Sequence, residues 1–198
     1  MKKIMFNDRF GLTQAVLEES KTMTRRIVTE STLRMAQMES HIHNKELVEC
    51  IKEHTPLCSY DKVAIAQSYH DLNKRGFLAP EWLEHTCESS AGYENKMFVR
   101  ADLMPHRIII RKVDVQRLQS ISDEDCLREG IKEYYPYIDR NPNDRAKSYR
   151  FIDKKSKYGY YQLSPVRDCF AEFINRVSGK GTWERNPWVF VYEFELIE

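Results

Sequence analysis

Residues 107–118 carry the longest strand-like alternation in the chain. Ile108 and Ile110 alternate with Ile109 and Arg111, and then Val113 and Val115 alternate with charged or polar neighbours. A second run lies at 188–196, where Trp188, Phe190, Tyr192, Phe194 and Leu196 share one face and Val189, Val191, Glu193 and Glu195 the other. A two-residue period sets side chains on alternate faces of a sheet, so the fold is organised around strands. Shorter strand-like pieces are expected at 2–6, at 21–28 with its β-branched Thr22 and Thr24, at 62–67, and from Met97.

Helical spacing occupies the intervals. Leu12, Ala15 and Val16 place an amphipathic helix in 11–20, and residues 32–41 and 45–54 give two more, the second through Leu47, Val48 and Ile51. A short helical piece is expected after Pro80. Ser122-x-x-Asp125 is a capping box for a helix over 123–129 that stops at Gly130. Ser164 as N-cap and Pro165 as first helical residue open a helix through Val177, closed by Gly179, with Val166, Phe170, Phe173 and Ile174 on its apolar face. Strands separated by short helices, with no regular βαβ alternation, predict an α+β fold with a mostly antiparallel sheet or small barrel. Residues 29–59, 70–96 and 131–163 depart from this pattern. They read as helical or loop insertions on a single domain over 1–198, with 29–59 and 131–163 dispensable for its core and 139–157 an exposed loop.

Charge limits the partners. Thirty-one Lys and Arg balance 30 Asp and Glu to a net +1, so any nucleic acid must be held by a local basic patch. Mean hydropathy of −0.63 and the lack of a long apolar run argue against a membrane span. Asn7 and Asp8 interrupt the start before a signal-peptide core forms, and a cytoplasmic location is expected. Five cysteines, odd in number and without a C-x-x-C pair, read as reduced thiols. Cys50, His54 and Cys58, four residues apart along a helix, cannot converge on one tetrahedral ion, so no metal is expected. No P-loop, Rossmann glycine pattern, H-E-x-x-H or G-x-S-x-G is present, and no cofactor is expected.

Four clusters carry chemistry. Lys21, Thr24, Arg25 and Arg26 place four donors within six residues, suited to an oxyanion or a polarised carbonyl. They suit a solvated basic edge strand equally well. On extended backbone Thr22, Thr24 and Arg26 point one way and Lys21, Met23 and Arg25 the other. Arg140, Arg145, Lys147, Arg150, Lys154, Lys155 and Lys157 interleave with Tyr149, Phe151, Tyr158, Tyr160 and Tyr161, the composition of a single-strand nucleic-acid surface or of a solvated insertion. Asp123, Glu124 and Asp125 suit the helix dipole, whereas Glu129 stands at the end where a cation would be favoured. Gln67, Tyr69 and Arg107 fall at strand ends, where a barrel mouth would present them to a ligand.

The motifs also occur in a recognisable order. Lys21-Thr-Met-Thr-Arg-Arg26, Ala64-Ile-Ala-Gln-Ser-Tyr69, Met104-Pro-His-Arg-Ile108, residues 115–125, Glu129-Gly-Ile131 and the ending Asn186-Pro-Trp-Val-Phe-Val-Tyr-Glu-Phe194 together resemble the phage- and prophage-associated ASCH-like proteins. The resemblance covers about two thirds of the chain, leaving out the insertion-like stretches. It implies a PUA-like β-barrel that binds RNA or a modified nucleoside in a basic cleft around Lys21–Arg26, with Arg25, Arg26, Gln67, Tyr69 and Arg107 as contacts. Some small ASCH proteins remove an acyl group from the exocyclic nitrogen of a modified cytidine. By position, the resemblance assigns that catalysis to Lys21, Thr24 and Glu129. Glu19-Ser20 stand where that motif usually has Gly-Arg, so the turn that aims Lys21 is built here without that glycine. Three classes follow: a binder of single-stranded RNA or a nucleoside, an amidohydrolase using the same cleft, and a phage-encoded protein–protein adaptor.

Overall fold

The computed structural model describes residues 1–77, 89–135 and 147–197. The helical piece expected after Pro80, together with Arg140 and Arg145, lies outside the described residues. Among the described residues there are eight strands: β1 (Lys2–Ile4), β2 (Met23–Ile27), β3 (Lys62–Ile65), β4 (Arg107–Arg117), β5 (Lys132–Tyr134), β6 (Ser148–Ile152), β7 (Tyr160–Leu163) and β8 (Trp188–Leu196). Five of them form a sheet in the order β1-β3-β4-β8-β2, parallel only between β1 and β3, and β5-β6-β7 form a separate antiparallel sheet. The fold is α+β, as the pattern predicts.

The two longest alternating segments pair with each other at the centre. β4 runs against β8 from Ile108–Leu196 to Arg117–Trp188, with a register shift between Ile110 and Lys112. β8 is buried on both faces at Val189, Phe190, Val191 and Tyr192, since it lies between β4 and β2 beneath the helices. Helices α1 (Leu12–Leu17), α2 (Glu30–His43), α3 (Leu47–Glu53), α4 (Tyr69–Lys74), α5 (Asp123–Arg128), α6 (Val166–Ser178) and α7 (Thr182–Arg185) surround the sheets. Ser122 caps α5 by accepting from the Asp125 amide, as the capping box requires. Pro165, not Ser164, takes the N-cap of α6, whose Val166, Cys169, Phe170, Phe173 and Ile174 enter the core.

No closed barrel exists among the described residues. Instead the five-stranded sheet curls until its two edges approach. Arg26 Nη2 on edge strand β2 donates to Met5 O, just past edge strand β1, at 2.6 Å. Phe6 and Phe194 rings meet beside the same seam, with centroids 5.8 Å apart.

The stretches expected to be dispensable belong to the core. Ala36 of α2 and Cys50 and Ile51 of α3 are fully buried in the main apolar cluster. Residues 131–163 hold the second sheet, and Phe151 of β6 stacks on Tyr161 at 5.5 Å and meets Phe173 of α6 edge-on at 5.3 Å. Within the expected loop 139–157, Ser148–Ile152 form a strand, and Asp153 has no exposed surface. A two-residue period in short strands rich in Tyr, Lys and Arg is a weak signal, which is why this sheet escaped the pattern reading. Helix α4 was also unexpected, although Ser68 caps it by accepting from the Asp71 amide. Met97–Val99 forms a 3-10 turn over Lys96–Phe98 rather than a strand. Among the described residues no helix is long and apolar enough to cross a membrane.

Candidate functional site

A cleft of about 590 Å³ opens along the seam between the two sheet edges. Met5, Phe6, Asn7 and Asp8 form one rim, and Thr24, Arg25, Arg26 and Ile27 of β2 form the other. Phe173, Ile174 and Val177 of α6 add an apolar wall, while Lys21 and Glu129 lie at its base. That volume is in the range of small-molecule sites, which run to several hundred cubic ångströms.

Two backbone hydrogen bonds bring distant parts of the chain together here. Thr22 N donates to Arg128 O at 3.1 Å, and Phe194 N donates to Thr22 O at 2.9 Å, pinning the start of β2 between the end of α5 and β8. Lys21 then meets Glu129 although 108 residues separate them. Its Nζ donates to Glu129 Oε2 at 2.7 Å and to the Glu129 backbone O at 2.7 Å. Gly130 follows with φ +106, a backbone conformation that side-chain-bearing residues rarely adopt, so glycine is what ends α5 here.

Arg25 completes the network. Nη1 reaches Glu129 Oε1 at 3.1 Å, and Nη2 reaches Asp125 Oδ2 at 2.8 Å. Its side chain is 1% exposed, so Arg25 turns inward to hold two carboxylates. Two cations and two carboxylates are thereby paired, with all but Asp125 buried. Removing one partner of such a set leaves an uncompensated charge and costs about 3–5 kcal/mol. The odd acid at the C-terminal end of α5 is thus explained: Glu129 is held by Lys21 and Arg25, not by the helix dipole. Asp125, which the dipole alone seemed to account for, is the second anchor of Arg25.

Burial drives the Lys21 pKa below the ordinary lysine value, and the Arg26 and Arg25 charges act in the same direction, against the attraction of Glu129. Thr24 is 5% exposed and lines the same cleft, and its hydroxyl has no hydrogen-bond partner among the described residues. Strict alternation would have put Lys21 and Thr24 on opposite faces. Both line the cleft because β2 begins only at Met23, leaving Lys21 in the preceding turn. In that turn Glu19 adopts φ +55, a left-handed conformation that glycine enters without a Cβ penalty. Glu19 therefore holds the bend where the resembling motif carries glycine.

Of the remaining expected contacts, Arg26 alone lines the cleft. Arg26 is exposed at the rim, its guanidinium 5.8 Å from the Phe6 ring centroid. Gln67, Tyr69 and Arg107 do not line the cleft. Tyr69 is buried in a second cluster with Ala64, Ala66, Leu72, Val99 and Met104, and its hydroxyl accepts from Arg100 N at 3.1 Å. Gln67 is 3% exposed beside that cluster. Phe6, Asp8, Lys96, Phe173 and Ile174 line the cleft without having been singled out. Phe173 and Ile174 carry the same periodicity as any core face, and Lys96 sits in a stretch without pattern. Cys50 is buried and Cys58 exposed, His54 pairs with Glu39 at 2.9 Å, and among the described residues no three metal-ligating side chains converge.

No family model, curated protein or solved structure matches the chain.

Proposed function

We propose that the seam cleft binds the base of a nucleoside, free or at an unpaired position in RNA, in a PUA-like fold of the ASCH type whose barrel is left open at the seam. The observation that carries this reading is the convergence of Lys21, Thr24 and Glu129 in one cleft from positions far apart in sequence. A flat heterocycle suits the site's mixed character. Phe6 and Phe173 line the cleft as apolar surface, and the Glu129 carboxylate, Thr24 hydroxyl and Lys21 amine offer acceptors and donors to a base edge.

A second reading is favoured by the perturbed lysine beside an unpartnered hydroxyl: hydrolysis of an N-acyl group on a cytidine-type base. In that reaction Thr24 Oγ attacks the acyl carbon while neutral Lys21 takes its proton. Glu129 relays a proton to the exocyclic nitrogen as the carbon–nitrogen bond breaks, and water then cleaves the acyl-threonine ester.

Titration calorimetry with cytidine and N4-acetylcytidine, alongside product analysis, tests both. Binding is expected to weaken at least tenfold in Glu129→Gln, the loss of one charged hydrogen bond in a dry site. Release of cytidine by wild type, abolished in Lys21→Ala and Thr24→Ala, establishes the hydrolase. Binding without turnover leaves a base reader. If neither nucleoside binds, the cleft reading fails and the adaptor class gains.

A further inference from the structure

The second sheet has two unlike faces. Tyr149, Phe151, Tyr161 and Leu163 turn inward and pack against the core. The register aligns Lys132 with Arg150 and Arg150 with Gln162 across the strands, and Ile152 with Tyr160, so these residues share the outward face with Tyr134. Arg150 lies between two rings on that face, its guanidinium 4.6 Å from the Tyr134 centroid and 5.7 Å from that of Tyr160. Tyr160 is 40% exposed and Ile152 44%, although a packed core lies directly behind them.

Beside this face is a hollow of about 510 Å³. Four cations line it, Arg75, Lys132, Arg150 and Lys154, against one carboxylate, Glu18. Lys132 stands 3.9 Å from Glu18, and Arg75 donates to the neutral amide of Gln14. Arg150 and Lys154 have no carboxylate partner among the described residues. The chain as a whole is almost neutral, so this excess is local. An exposed row of ring, guanidinium and ring beside unpaired cations matches one class of partner by its chemistry. Unpaired nucleotides offer phosphates to the cations and a π-face from every base to the rings. Duplex nucleic acid hides those faces, and an acidic peptide has none.

We propose that the outward face of β5-β6-β7 and its hollow form a second binding surface, taking a single-stranded RNA segment. The surface is separate from the seam cleft, although Leu12 lines both and Gly130 of the hollow directly follows Glu129 of the cleft. It therefore stands or falls independently of the nucleoside reading.

The test is fluorescence anisotropy of a labelled oligouridylate of about ten nucleotides, a length such a platform can cover, at about 50 mM salt. Arg150→Glu and Lys154→Glu are expected to weaken binding at least tenfold each. Each should also flatten the salt dependence, by about 0.7 in log–log slope for every phosphate that is no longer neutralised. Tyr160→Ala should weaken binding about fivefold or more, and Tyr160→Phe should restore it, because stacking needs the ring and not the hydroxyl. Lys154 and Tyr160 are exposed, so these variants should keep the wild-type melting curve even if Arg150→Glu does not. The proposal is overturned if the oligonucleotide fails to bind, or if the sheet variants bind like wild type. It is equally overturned if polyglutamate competes as well as RNA. Loss of oligonucleotide binding in Lys21→Met alone would place the strand in the cleft and also overturn it, leaving the nucleoside reading intact.

Discussion

At Lys21 two opposed effects act on one ammonium group. Burial disfavours its charge, and Glu129 at 2.7 Å favours it, with burial the larger. The folded-state pKa lies below the ordinary value of 10.5, so between those two values the unfolded chain binds more protons than the folded one. Stability from this group is therefore complete above about pH 10.5 and is lost as pH falls toward the folded value. Lys21→Met removes that dependence. Urea denaturation across about pH 8 to 10.5 is expected to show the variant losing stability relative to wild type as pH rises. A constant difference would mean that Lys21 stays charged throughout. A lysine that keeps part of its population neutral is the kind a proton transfer needs.

Among the elements, the second sheet is fastened by one carboxylate. Asp153, just beyond β6, is fully buried and accepts from Arg9 Nε at 2.7 Å and Arg9 Nη2 at 2.8 Å, with Arg176 of α6 3.6 Å away. The Lys155 amide adds a 3.0 Å bond. These donors, Arg9 first, hold the Asp153 carboxyl below its usual value of 3.8. A carboxyl depressed in this way contributes stability that is present above the unfolded value and lost as pH falls through the folded one. Asp153→Asn is expected to cost about 3 kcal/mol at neutral pH, since it strands the buried side of Arg9. It should also make the stability of the protein less steeply dependent on pH below about 4. Denaturant midpoints of both proteins across that range give the comparison. Because Arg9 also lines the seam cleft, loosening this clamp should be felt there as well as in the sheet.

For the whole molecule, the decisive feature is a five-stranded sheet curled until its edges meet without pairing. The cleft exists because the seam is bridged by side chains, Arg26 to Met5 among them, instead of a backbone ladder. Helices α2 and α3 enter the chain between β2 and β3, and Cys50 and Ile51 fill the core beside the central strands. Replacing residues 29–59 by a short linker is therefore expected to abolish cooperative unfolding, followed by circular dichroism on heating. Loss of two fully buried apolar side chains together with their helix uncovers the core instead of trimming an appendage.

Much of the protein was determined by the sequence alone. Long alternating runs at β4 and β8, the capped helix α5 and the amphipathic helix α6 need only local period and, for α5, cap chemistry, which neighbouring residues supply. Lys21, Thr24 and Glu129 could be singled out, Glu129 because an acid stood where the helix end disfavours one. Tertiary structure decided the rest. Arg25 faces inward because Asp125 and Glu129, about a hundred residues away, are brought beside it, and no spacing rule reports a partner at that distance. Short strands such as β5 to β7 acquire their identity from the neighbours they pair with, and their two faces differ only because a core lies behind one of them. The cleft is a property of where two sheet edges stop, set by curl and long-range packing rather than by any residue's own preference.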